Sequence, residues 1–305
     1  ILVWKAVGPL QASDPQNHWR RETSEILREA FISGLRPDVL LVTSLFEGYI
    51  DDSVTSVGIF APEIPTAVIL YDLIPYVQSD LYLRDNPGYA SFYREKIGHL
   101  KRADLWLGIS QAACDEAGSL LSSSEGRMVC ISSACDPIFG PQRIPAKERS
   151  SILARFKIEG DFILYVGGSD PRKNLPRLVV AYSELSLQIR SQYSLVFAGR
   201  MPGVDVLSLK RLALECGLSE ANLRFTGYID DSTLSKLYSL CRVFVFPYLH
   251  EGFGLPVLEA ITCGAVTIAS ETSSIPEVLG VGPALFNPED TQSICKALER
   301  AIRDE

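Results

Sequence analysis

Residues 250–259 read HEGFGLPVLE, and the sequence on either side gives this stretch its place in a fold. An apolar run of strand character, VFVFP (243–247), precedes it, and the helical pattern VLEAI (257–261) follows. The order is buried strand, glycine-containing loop, helix N-terminus. Pro256 suits a first helical turn, where its missing N–H is no loss. Gly252 and Gly254 permit close backbone approach. The N–H groups of a helix start attract anions, and Glu251 and Glu259 flank this one. One carboxylate could hold sugar hydroxyls beside a bound anion, the other the far end of a nucleotide. Taken alone, the loop is equally an ordinary strand–helix turn with a solvated Glu.

Working outward, the second half of the chain keeps the same alternation. Strands are expected at 162–166, 194–198, 223–226, 243–246, 265–269 and 283–286. Helices are expected at 175–190, 205–217, 231–240, 275–279 and 290–302. Strands alternating with helices imply a parallel sheet covered on both faces, here a complete doubly wound unit. Between its first strand and helix lies GGSDPRKN (167–174). Arg172 and Lys173 set a guanidinium fork beside a point charge, a pair able to neutralise a diphosphate. The competing reading is a solvated loop pair. In a chain of net charge −8, a cationic pair at a strand's C-terminal end is pointed. With the loop at 252–255 it makes two anion-binding features in corresponding places of one sheet. Gly199-Arg200 and Gly227-Tyr228 end two further strands and could line a base pocket, or be plain turns.

The first half reads as a shorter unit of the same kind. Strands are expected at 1–7, 39–42, 66–71, 104–109 and 127–131. Helices are expected from Asp14 to about Ser33, at 87–101 and at 111–121, the last capped by Ser110. Ile26, Leu27, Ala30 and Phe31 should turn one face of the first helix to the core, and Gly34 and Pro37 should end it. Tyr71-Asp72 closes the strand 66–71. Asp72 could position a sugar hydroxyl or accept a proton, or only shape the turn before Leu73-Ile74-Pro75. This half lacks the opening strand and Gly-rich turn that usually start such a sheet, so it is expected to be incomplete. The Pro-rich run 136–145 is a linker, which sets the expected domains at 1–147 and 148–305.

With 305 residues, 47% hydrophobic and 22% charged, the chain has room for two domains with real cores. Its acidity argues against a dedicated nucleic-acid binder. Seven cysteines, at 114, 130, 135, 216, 241, 263 and 295, show no metal-binding spacing. Buried thiols in a reducing compartment are expected. His18, His99 and His250 have no H-x-x-H spacing, and no metal site is expected. There is no Walker A, no G-x-S-x-G elbow and no dinucleotide fingerprint after Gly167-Gly168. No run is long enough to span a bilayer. The start, ILVWKAVGPLQ, has neither a signal-peptide layout nor an initiator Met, so the sequence is expected to begin within a longer one.

These stretches together resemble a known family. HEGFGLPVLEA, with Glu251 and Glu259 as an E-x7-E pair, resembles the signature of retaining glycosyltransferases of family 4, which have the GT-B fold. YVGGSDPRKN (165–174), FAGR (197–200), FTGYID (225–230) and ASETSSIPEVLGVGPALFNPED (269–290) are similar to the family's other landmarks, in order. VILYDLIP (68–75), VWKAVGP (3–9), HWRRETSEILREAF (18–31) and SLFEGYIDDSVTS (44–56) are similar to bacterial mannosyltransferases that build O-antigen-like polysaccharides. The resemblance covers almost the whole chain and is strongest over 161–290.

The resemblance implies an α/β GT-B fold: two Rossmann-like domains facing a cleft, acceptor side first and donor side second. Glu251 would contact hydroxyls of the donor sugar. Gly252, Phe253, Gly254 and Leu255 would offer backbone N–H groups to sugar and diphosphate, and Glu259 would bind the ribose. Arg172 and Lys173 would hold the diphosphate near Gly168. Gly199, Arg200, Tyr228 and Ile229 would receive the base, and Tyr71 and Asp72 would serve catalysis from the first domain. The implied reaction is metal-independent, retaining transfer of mannose from GDP-mannose, with no cofactor, to a polysaccharide or lipid-linked oligosaccharide. The implied place is the cytoplasm, or the cytoplasmic face of the inner membrane beside polysaccharide-assembly partners. Arg94, Lys96, Lys101 and Arg102 would form a basic patch for that face, unless they are a solvated helix surface. Two departures keep other readings open: Tyr71 stands where relatives often place His, and Gly168 where many place Arg. The alternatives are a UDP-sugar-dependent glucosyl- or galactosyltransferase and a catalytically weak binding module.

Overall fold

The computed structural model describes residues 3–121, 126–280 and 282–303. The chain forms two compact units, Ile1–Ser132 and Ser133–Glu305.

The first unit contains α1 (His18–Leu35), β1 (Leu40–Val42), β2 (Thr66–Leu70), α2 (Ile74–Val77), α3 (Ser79–Tyr82), α4 (Pro87–Arg102), β3 (Leu105–Gly108), α5 (Gln111–Leu121) and β4 (Met128–Cys130). Its four strands are parallel, in the order β1-β2-β3-β4. Val68, Leu70, Tyr93, Leu100 and Trp106 fill the core beneath α4 and α5. Ser110 caps as expected, its Oγ accepting from Ala113 N–H at 2.9 Å.

Three expectations fail here. Residues 3–7 form no strand, and Ile1 and Leu2 lie outside the described residues. Helix α1 runs through Gly34 to Leu35 and ends on Arg36 in the left-handed region, at φ 49°. The face of α1 is also inverted: Ile26 and Leu27 are exposed, whereas Glu25 and Glu29 are buried. The cause is hydrogen bonding. Glu29 accepts from the N–H groups of Phe60 and Ala61 at 2.6 and 3.2 Å, Arg28 donates to Ser56 O at 2.9 Å, and Arg21 pairs with Glu95 of α4 at 2.9 Å. Bonds to charged groups contribute about 1.5–3 kcal/mol each, enough to outweigh burying two aliphatic side chains that are only part-covered. Helix α4 likewise draws charge inward. Lys96 is buried and donates to Thr55 O and Oγ1 at 2.6 and 2.9 Å. It therefore drops out of the expected basic patch, leaving Arg94, Lys101 and Arg102 exposed.

The second unit contains α6 (Ala146–Arg155), β5 (Asp161–Val166), α7 (Leu175–Ser183), α8 (Leu187–Gln192), β6 (Tyr193–Ala198), α9 (Gly203–Glu215), β7 (Leu223–Gly227), α10 (Asp231–Leu240), β8 (Val243–Phe246), α11 (Leu255–Thr262), β9 (Thr267–Ser270), α12 (Ile275–Leu279), β10 (Leu285–Phe286) and α13 (Thr291–Arg303). The single helix expected at 175–190 is two, because Ser186 caps a new start and accepts from Ile189 N–H at 3.3 Å. The boundary lies earlier than expected. Residues 133–147 belong to this unit because Phe139 enters its core and Gln142 donates to Ser235 of α10 at 2.8 Å.

All six strands are parallel, in the order β10-β9-β8-β5-β6-β7. Residues Phe162–Tyr165, Leu195–Ala198 and Val243–Phe246 are fully buried, as strands covered on both faces must be. Chain order reverses between β5 and β8, which are neighbours. In open α/β sheets such a reversal opens a crevice at the strands' C-terminal ends, where ligands bind.

Candidate active site

The two stretches singled out in the sequence leave these two neighbouring strands. GGSDPRKN follows β5, and HEGFG follows β8. The β5 loop tightens into a 3-10 turn over Pro171–Lys173, capped by Asp170, whose carboxylate accepts from Arg172 N–H at 3.0 Å. Asn174 then takes the left-handed conformation, and its side-chain amide donates to Pro247 O at 3.0 Å and Pro288 O at 2.7 Å. Leu249 N–H donates to Arg172 O at 2.8 Å. The two loops are thus fixed to each other by backbone.

Arg172, Lys173 and Glu251 meet in the crevice. Arg172 Nη1 lies 2.6 Å from Glu251 Oε2, and Lys173 Nζ lies 3.3 Å from the same oxygen. Arg172 Nη1 also donates to His250 O at 3.0 Å. These side chains are only 15–19% exposed, so their charges interact more strongly than a surface pair would. Burial pushes the Lys173 ammonium down to about 8; Glu251 pulls it back up, and Arg172 works against it. Glu251 is held from behind: its N–H donates to Ser273 Oγ at 3.0 Å, and Ser274 Oγ donates to its carbonyl at 2.9 Å.

Gly252 and Phe253 are buried, and Gly254 caps α11 at φ 94° with Leu255 at the first helical position, partly exposed. Glu259 lies one turn into α11 and accepts from Tyr238 Oη at 3.0 Å. Burial raises its carboxyl above the ordinary carboxylate range. The remaining residues are more dispersed. Gly168 offers its carbonyl to Tyr165 Oη at 2.7 Å. Gly199 N–H donates to Gly227 O at 3.1 Å, joining the ends of β6 and β7. Arg200 and Tyr228 are exposed there, and Ile229 is buried. Tyr71 and Asp72 lie in the first unit, just past β2. Tyr71 is exposed, and Asp72 accepts from Ile74 N–H at 3.0 Å, the turn-forming role considered for it.

Five residues that shape this site escaped the sequence reading: Asn174, Tyr238, Tyr248, Ser273 and Ser274. Asn174, Ser273 and Ser274 sit inside the quoted landmarks, and Tyr248 is two residues before His250. Their partners lie far along the chain, which spacing cannot reveal.

Two other features of the described residues lie outside the cluster of Arg172, Lys173 and Glu251. A cavity of about 570 Å³ opens between α7 and α9, lined by Asp170, Asn174, Arg177, Val180, Asp205 and Leu209 among others; it borders the cation-bearing loop through Asp170 and Asn174, but Arg172, Lys173 and Glu251 do not line it. In the first unit Glu25, Glu95 and His99 offer ligand atoms within 4.8 Å of one another. His99 Nδ1 accepts from Val57 N–H at 3.1 Å, which puts the imidazole proton on Nε2, the nitrogen facing Glu95. With Arg21 paired to Glu95 and Lys96 acting on Glu25, both carboxylates already answer the protein's own cations, Glu25 and His99 buried and Glu95 exposed.

A doubly wound parallel unit with cations, a carboxylate and a helix start at its switch point, preceded by a second parallel α/β unit, defines a protein of the GT-B class. The chain belongs to the glycosyl transferases group 1, a family that matches residues 151–305. Over 307 aligned residues it is 37% identical to the Escherichia coli serotype-specific mannosyltransferase WbdA, covering 100% of this chain and 37% of that protein. The chain therefore spans little more than a third of that relative's length. The Escherichia coli O-antigen chain mannosyltransferase B is 33% identical over 216 residues, 70% of this chain and 56% of its own. Among solved structures, WaaG, a glycosyltransferase involved in lipopolysaccharide biosynthesis, matches with a TM-score of 0.69 at 15% identity, covering 99% of this chain and 80% of that one. That likeness concerns the fold.

Proposed function

We propose that the chain is a retaining hexosyltransferase of family 4 that moves mannose from GDP-mannose to a polysaccharide or lipid-linked oligosaccharide. The observation that carries this reading is the single carboxylate oxygen of Glu251 shared by Arg172 and Lys173, at 2.6 and 3.3 Å. Glu251 here supplies the negative charge that a diphosphate would bring. On donor binding the diphosphate takes over the two cations, and Glu251 is released to the hydroxyls of the sugar. The bond from the anomeric carbon to the diphosphate oxygen then breaks, and charge gathers on that oxygen. Arg172, Lys173 and the N–H groups at the start of α11 stabilise it where it develops. Two cations and a helix start meet the charge, so this reading needs no divalent metal and no cofactor. The acceptor hydroxyl attacks the face that GDP leaves, and its proton passes to the departing phosphate oxygen. Glu259 takes the ribose, and the strand ends carrying Gly199, Arg200, Tyr228 and Ile229 take the base.

Mannose as the sugar, and an O-antigen-like polysaccharide as the acceptor, are supported by relatives named as mannosyltransferases, one of them of the O-antigen chain. A cytoplasmic place is supported by the seven cysteines, all free. Among the described residues no helix is long and apolar enough to cross a membrane.

The test is to titrate the protein with GDP-mannose and with UDP-glucose separately, then add oligosaccharide acceptors and follow release of the nucleoside diphosphate. GDP-mannose is expected to bind more tightly and to be turned over. Tighter binding of UDP-glucose sinks the mannose assignment. Binding without release in the presence of every acceptor makes the chain a nucleotide-sugar-binding module.

A further inference from the structure

Beneath the cationic pair lies an aromatic seat that no motif announced. Tyr248 is buried, and its ring stacks on Phe246 with centroids 3.6 Å apart. Lys173 Nζ sits 3.8 Å from the centre of the Tyr248 ring, and the Arg172 guanidinium carbon 5.9 Å from it. Both lie within the range where a ring face attracts a cation, and the attraction grows when the pair is desolvated. The phenol is engaged as well. Tyr248 Oη lies 3.1 Å from Val166 O and 3.3 Å from Tyr165 Oη, and Tyr165 Oη donates to Gly168 O at 2.7 Å. The two phenolic protons thus go to Val166 O and Gly168 O, on the backbone where the cation-bearing loop begins, and the two phenol oxygens lie side by side between them. Gly167 completes the fit. A Cβ there would stand 2.3 Å from Tyr248 Oη, and its φ of 144° suits glycine. Small residue and large ring are matched across two strands.

We propose that Tyr248 is a positioning residue for the diphosphate site: its ring face holds the Lys173 ammonium, and its phenol sets the turn from which Arg172 and Lys173 project. The proposal rests on reading that pair as the diphosphate site. It goes beyond that reading by explaining why Lys173 keeps its place when the diphosphate displaces Glu251. The ring is an attraction that a bound anion does not compete for.

The test combines two measurements on the full chain, with Tyr248→Phe, Tyr248→Leu and the more space-filling Tyr248→Met. NMR of protein carrying 13C-labelled lysine reports the ring directly and needs no nucleotide. An upfield-shifted ε-methylene signal, lost in Lys173→Arg, is expected to persist in Tyr248→Phe and to move to an ordinary position in the Leu and Met variants. Calorimetric titration with GDP reports the consequence. Tyr248→Leu and Tyr248→Met are expected to weaken binding about ten-fold, with Tyr248→Phe between them and the wild type. In a Lys173→Met background the Leu substitution is expected to cost clearly less, only the part that runs through the turn beneath Arg172, because the ring's hold on Lys173 is already gone. Equal losses in both backgrounds, or a lysine signal that ignores the ring, overturn the proposal. A shifted lysine signal in a wild-type chain that binds no GDP leaves Tyr248 in its place and overturns the diphosphate reading instead.

Discussion

Glu251 is the residue on which the site turns. Its carboxylate neutralises two part-buried cations, so it stabilises the unit and at the same time competes with any anion for them. Glu251→Gln separates these roles. Leaving the two cations with only Asp170, 3.6 Å from Arg172, should cost about 1–2 kcal/mol, lowering the melting temperature by roughly 3–6 °C. GDP should bind several-fold more tightly, because no carboxylate has to be displaced, while mannose transfer falls about a hundred-fold. Melting curves, calorimetry with GDP and a transfer assay check the three in turn; weaker GDP binding in Glu251→Gln would contradict the displacement. Lys173 adds a pH dependence. Only its ammonium could hold the proposed diphosphate, and burial lowers the pH at which that proton leaves to about 8. GDP affinity should therefore decline as pH rises from 7 to about 9 and stay flat over the same window in Lys173→Arg, whose guanidinium remains charged. A decline that survives in Lys173→Arg would assign the titration elsewhere.

At the level of elements, α11 depends on how it begins. Gly254 caps it at φ 94°, and a Cβ there would stand 2.6 Å from Ile275 Cδ1 of α12. Gly254→Ala should cost about 1–3 kcal/mol through strain alone. By tilting the helix start it should also weaken GDP binding. Gly227→Ala has a positive φ but open space around it. It should destabilise less, and comparing the two melting curves isolates the clash. Helix α11 and the strand before it were legible in sequence because an apolar run, a Gly-rich loop and Pro256 all point to one arrangement. Helix α1 was not. Its Ile26, Leu27, Ala30 and Phe31 make a fair apolar stripe, but Glu29, Arg28 and Arg21 find partners at Phe60, Ser56 and Glu95. Charges satisfied by distant residues decide which face turns inward, and periodicity within one helix carries no trace of them.

At the scale of the whole molecule, the alternation of strands and helices was enough to foresee two parallel α/β units, and the six strands of the second. The order of those strands was not readable, and it is the order that makes β5 and β8 neighbours and joins the two decisive loops. The boundary was misplaced for a related reason. Proline marked residues 136–145 as irregular, but burial of Phe139 gives them to the second unit. Arg172, Lys173 and Glu251 were named from the sequence. That one oxygen of Glu251 serves both cations, above the ring of Tyr248, follows from the folded arrangement alone. That cluster is the proposed place where a nucleotide sugar's diphosphate binds. The most direct measurement is calorimetric titration of GDP-mannose into the wild type and into Arg172→Ala/Lys173→Ala, with melting curves to verify folding. The wild type should bind, and the folded double variant should lose at least about a hundred-fold in affinity. A folded double variant that binds GDP-mannose as the wild type does would contradict it.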